Sequence, residues 1–159
     1  MNAIPNQAKI IKVSTVLWLV LLAGVVVWAI GIAMGLTGVT RSTIGPATPL
    51  MRFRAWGFLG MEALRFMVTW KLFRFFYQLK AGRFFEAATV GYLDAVGKWW
   101  IVLWLYNVIF YQLRAGVFQI VDQWNPKSPE ALFGGLVIIF MAWLWKEAQG
   151  LQEEKELTV

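Results

Sequence analysis

Four apolar runs, parted by stretches rich in glycine, proline and charge, set the pattern of this 159-residue chain. Val13–Leu36 is the longest, about 24 residues without a charge, enough to cross the ~30 Å of a bilayer's hydrocarbon and too long for a signal-peptide core. Within it Gly31 and Gly35 are spaced as in close helix–helix contacts, although glycine is also simply common in membrane helices. Thr37–Ala55 carries Gly38, Gly45, Pro46 and Pro49 and is predicted to be a loop. Trp56–Tyr77 is apolar but interrupted by Glu62, Arg65, Lys71 and Arg74. Gly82 then follows Lys80 and Ala81 as a helix stop. In Phe84–Val96 the residues Phe85, Thr89, Tyr92 and Val96 recur three to four apart, the pattern of a short amphipathic helix lying in the membrane interface. Gly97–Lys98 is the expected break, and Trp99–Trp100 marks re-entry into a third run, Trp99–Leu113. Ser128–Pro129 opens the fourth, Ala131–Trp145.

The fold expected from this pattern is one all-α integral membrane domain over residues 1–159. Its four transmembrane helices fall near 13–36, 56–79, 97–115 and 130–147, with a short interfacial helix between the second and third and a charged tail over 148–159. Phe76–Gly82 (FYQLKAG) returns 34 residues later as Phe110–Gly116 (FYQLRAG). That echo fits either a duplicated helix-plus-linker unit or two helices that use the same end chemistry.

Composition sharpens the membrane reading. The chain is 59% hydrophobic and 15% charged, with ten Trp and a mean hydropathy of +0.59, well away from soluble domains. It has no Cys and no His, which removes disulfides, most transition-metal sites and the Cys–His and Ser–His–Asp nucleophiles. No cofactor is expected. The net charge of +6 flanks apolar runs rather than forming a basic face, so it suits a membrane surface and not direct nucleic-acid binding. Nine Lys and Arg fall on the side of the termini and the 71–98 linker and five on the other, with Arg65 between. The positive-inside rule then puts both termini in the cytoplasm.

Glu62 and Arg65 are the candidate intramembrane pair. Three apart on one helical face, they sit near mid-bilayer if the helix enters at Trp56, where unpaired charge costs several kcal/mol. The alternative is a purely structural ion pair. Asn107 is expected to tie helices together. Glu86 and Asp94, eight apart on the linker, would be roughly 12 Å apart if helical, too far for a retaining carboxylate pair and marginal for any shared site, so an enzyme is not expected.

The ending Leu151–Gln152–Glu153–Glu154–Lys155–Glu156–Leu157–Thr158–Val159, and the linker Lys80–x–Gly82–x–x–Phe85 followed by Tyr92–Leu93 and Gly97, carry a resemblance. They resemble a family of small bacterial four-span membrane proteins, a domain of unknown function that ends in Leu-x-x-Glu-x-x-Leu-Thr-Val. Lys155 stands where that family usually has Asn, and Ala87–Ala88 replace more polar residues. The resemblance implies a protein of the bacterial cytoplasmic membrane that partners a small helix-turn-helix transcription factor. It marks Leu151, Glu153, Glu154, Leu157, Thr158 and Val159 as a partner-binding tail and Lys80, Gly82, Phe85 and Gly97 as a linker. The alternative function is a small homo-oligomeric transport or sensing module built on Glu62 and Arg65.

Overall fold

In the computed structural model, which describes residues 7–43, 48–118 and 129–157, every element is an α-helix. They are α1 (Gln7–Thr43), α2 (Pro49–Lys80), α3 (Ala87–Phe118) and α4 (Pro129–Leu157). Backbones neighbour one another in chain order, α1 on α2, α2 on α3 and α3 on α4. The pairs are antiparallel: Ile11 packs near Phe75 and Leu79, while Trp28 reaches Glu62.

Three helices are long and apolar enough to cross a membrane, over Ala8–Met34, Ala87–Val117 and Pro129–Leu151. They make this a membrane-embedded helical protein. The expected second span is not among them. Arg54 and Lys71 bound its apolar part, and Glu62 and Arg65 lie between, so no stretch of α2 is both long and apolar enough.

The short interfacial helix is also absent as a separate element. α3 runs unbroken from Ala87 through Gly97–Lys98 to Phe118. The periodic face was real, but it turns inward: Thr89 and Val96 are fully buried, Phe85 and Tyr92 partly so. That face finds protein to pack on and has no need of the lipid boundary. The loop expected over Thr37–Ala55 shrinks for a similar reason. α1 continues to Thr43, and Pro49, which lacks the N–H that a first helical residue does not use, starts α2 instead of breaking a helix. The Thr48 hydroxyl caps α2 by accepting from Met51 N at 3.3 Å.

Gly82 ends α2 as expected, with φ of 77°. Arg83 N donates to Gln78 O and Gly82 N to Leu79 O, both at 3.0 Å, which satisfies carbonyls the helix would otherwise leave open. The two echoed segments therefore diverge. Phe76–Gly82 closes a helix, whereas Phe110–Gly116 continues one, and the two stand at opposite ends of the bundle.

Gly97 has a different task from the expected break. A Cβ there would lie 2.9 Å from Gly135 O and 3.0 Å from Ile139 N; one at Gly135 would lie 3.1 Å from Gly97 O. The α3 and α4 backbones touch at this crossing, which only glycine permits. Between α2 and α3, Gly57 and Gly60 make room for the rings of Phe110 and Tyr106, and Tyr106 Oη donates to Gly57 O at 3.0 Å. Asn107 does not bridge helices: its amide donates to Leu103 O of its own helix at 2.8 Å.

Candidate functional site

Glu62 is 6% exposed, the one buried acid among the described residues. A buried carboxylate needs a partner for each oxygen. One turn of α2 supplies the first: Arg65 Nη1 donates to Glu62 Oε1 at 2.7 Å. The antiparallel neighbour supplies the second, as Trp28 Nε1 of α1 donates to Glu62 Oε2 at 2.6 Å. Trp28 went unnoticed at the level of sequence because nothing in a linear pattern links positions 34 residues apart; its place on the inward stripe of α1 (Leu21, Val25, Trp28, Ile32) was the available signal.

Trp28 is held by an aromatic ladder. It stacks on Phe66, which stacks on Trp70, then Phe73, whose ring meets Trp18 at a tilt, with centroid separations of 5.0–6.2 Å. Arg74 lies over Trp70 at 4.9 Å and Lys80 over Trp18 at 4.3 Å, so two cations of α2 rest on ring faces.

Arg65 differs from its partner. Its side chain is 46% exposed and borders a groove of about 500 Å³ between α1, α2 and α3. Leu21 stands at the midpoint of the Ala8–Met34 span, and Trp100 and Leu103 bracket the midpoint of Ala87–Val117; all three line the same groove. The groove thus lies at mid-span on α3, while on α1 it runs from the midpoint toward Trp28, where Glu62 is bonded, about 10 Å further along.

A second constellation forms at the other end of α2. Arg83–Glu86 is a tight turn, stapled where Thr89 Oγ1 donates to Arg83 O at 2.6 Å. Trp145 of α4 donates from Nε1 to Phe84 O at 3.0 Å and meets Phe75 and Phe85 edge-on. Of the linker residues, Phe85 therefore stands beside α4 just ahead of the tail, whereas Lys80 faces Trp18 of α1. Gly97 does not join Phe85: it lies ten residues along α3 from Ala87, roughly 15 Å away. In the tail, Leu151 is 64% exposed, and α4 carries Glu153, Glu154 and Leu157 as continuing helix. Thr158 and Val159 lie outside the described residues.

Glu86 and Asp94 are each tied to a base close by on the chain, Glu86 to Arg83 at 3.6 Å and Asp94 to Lys98 at 2.6 Å. Among the described residues no group of three acids converges as a metal site. Comparison with protein-family models, with curated proteins and with solved structures finds no match to this chain.

Proposed function

We propose that this protein is a non-enzymatic adaptor of the bacterial cytoplasmic membrane, with four crossings and both termini in the cytoplasm, that holds a small helix-turn-helix regulator at the membrane surface. One observation carries the reading: Trp145, near the end of the fourth apolar run and just ahead of the tail, meets the linker at Phe84 and Phe85 at one end of the bundle. A partner docking there would touch both. α4 also continues as helix past the apolar segment ending at Leu151, with Glu153, Glu154 and Glu156 on its last turns, a projecting acidic rod suited to a basic regulator. The distribution of Lys and Arg supports the orientation. In the four-crossing arrangement α2 is carried across by packing on α1 and α3 rather than by its own apolarity.

Capture from native membranes tests this. The full chain is expected to retain a helix-turn-helix protein that a chain truncated after Gly150 loses; equal recovery, or recovery of neither, rejects the adaptor. Because the chain has no native cysteine, single cysteines at Arg83 and Glu147 report topology directly. Both should label from the cytoplasmic side, with a cysteine at Glu130 labelling from the opposite side.

A second reading, a small homo-oligomeric sensing or transport module, is favoured by the half-exposed Arg65 over a groove at mid-span depth.

A further inference from the structure

The groove over Arg65 has a chemistry that narrows its occupant. Its walls are apolar and aromatic, with Leu21, Gly24 and Trp28 on α1 and Trp100 and Leu103 on α3. Two of its polar groups are already used: the Trp28 Nε1 donates to Glu62, and the Thr69 hydroxyl donates to Arg65 O at 2.9 Å. Arg65 is the only charged side chain lining it among the described residues.

Charge and hydrogen bonding then point in different directions. The charge of Arg65 is closed by Glu62 at 2.7 Å. An anion entering the groove would leave a net negative charge at mid-span depth, which membranes penalise heavily. The hydrogen bonding is not closed. A guanidinium carries five N–H donors, and one is committed to Glu62; the others find no acceptor among the described residues. In an apolar groove, unmade hydrogen bonds are costly. The complementary ligand is neutral, soluble in lipid, and bears an oxygen acceptor. Acyl ester carbonyls sit at headgroup level, far from this depth, so the acceptor belongs to a molecule that enters the hydrocarbon itself. Two indole rings favour a flat body, and about 500 Å³ lies within the range of small-molecule sites.

We propose that this groove binds a neutral, lipid-soluble carbonyl compound of the quinone class, its oxygen on the spare Arg65 donors and its ring beside Trp28 and Trp100. The proposal rests on the second functional reading and supplies its ligand class.

Equilibrium dialysis of the full chain in detergent micelles, against empty micelles, tests it with menadione as the probe. The chain has no cysteine for a quinone to alkylate. The controls are 2-methylnaphthalene, which has the same ring without the oxygens, and decanoate, an anionic amphiphile. Menadione is expected to bind saturably, one per chain, and at least ~10-fold more tightly than either control, the worth of a hydrogen bond to a charged donor. The double variant Glu62→Gln/Arg65→Gln, neutral but without the guanidinium, should lose that preference. Gly24→Leu fills the groove without touching the pair, since a Cβ there meets nothing within 4 Å, and should abolish saturable binding while helicity by circular dichroism stays unchanged. If a control binds as tightly as menadione and Gly24→Leu removes it, the ligand class is overturned and the groove remains a site. If nothing binds saturably, the ligand class and the sensing reading both fall.

Discussion

The α3–α4 joint and the α1–α2 joint hold neighbouring helices together by opposite means. At the first, Gly97 and Gly135 bring two backbones into direct contact, with the Ile139 and Ile101 side chains packed against the two glycines. At the second, Trp18, Trp28, Phe66, Trp70 and Phe73 form a ladder that ends on a three-part polar link, Trp28–Glu62–Arg65. A backbone contact cannot be adjusted by a rotamer, so the first joint is fixed at its crossing, and toward Ala87 and Lys146 the same two helices part around a groove of about 540 Å³. At the second joint side chains make the contact, and the groove beside them is lined by Trp28, Arg65 and Trp100. The two joints thus differ in what fixes them, backbone at one and side chains at the other, and each has a groove beside it.

Gly97→Leu should give the largest effect and the clearest break between the two joints. Its side chain would enter the α4 backbone, and the expected loss is about 3 kcal/mol of stability, read by denaturant or thermal unfolding in micelles. Gly134→Leu is its internal control. A Cβ at Gly134 meets only Trp100 Nε1 at 3.7 Å, an ordinary contact, so an equal loss at both positions would mean that general crowding, not backbone contact, closes this joint.

Glu62→Leu comes next, at about 2 kcal/mol, because it strips an acceptor from both Trp28 and Arg65 while Arg65 stays half in the open. Glu62→Gln should lose clearly less, since a side-chain carbonyl can still accept from one donor. Equal losses would show that charge, not hydrogen bonding, holds the α1–α2 joint.

Tyr106→Phe should cost about 1 kcal/mol through the hydrogen bond to Gly57 O, with the ring still seated over Gly60. The smallest effect is expected for Gly24→Leu, within about 1 kcal/mol of unchanged and on the stabilising side, since it replaces an open glycine in a helix by a better helix former. A large loss there would mean that the groove closes in solution.

The span-length apolar runs and the helix stop at Gly82 were legible because each depends on a local property: hydropathy over twenty residues, or one residue's freedom to take a positive φ. What was not legible depends on distant partners. Gly97 carries the same local signal whether it ends a helix or meets another glycine, and only Gly135, 38 residues on, distinguishes the two. The Phe85–Thr89–Tyr92–Val96 face has one periodicity whether it lies on lipid or on protein. Pro49 begins a helix rather than extending a loop because Thr48 caps it. At the candidate site, the Glu62–Arg65 pairing followed from three-residue spacing, but Trp28 and the groove required α1 to be laid antiparallel on α2. The enclosure that made Glu62 notable is itself a tertiary fact.

The neighbour order of the helices has a consequence in time. α1 is apolar enough to enter a bilayer on its own as it leaves the ribosome, whereas α2 carries charges at both ends and an ion pair within. In the four-crossing arrangement α2 would enter as a passenger. Glu62 could leave water only once Trp28 is already in place to receive it.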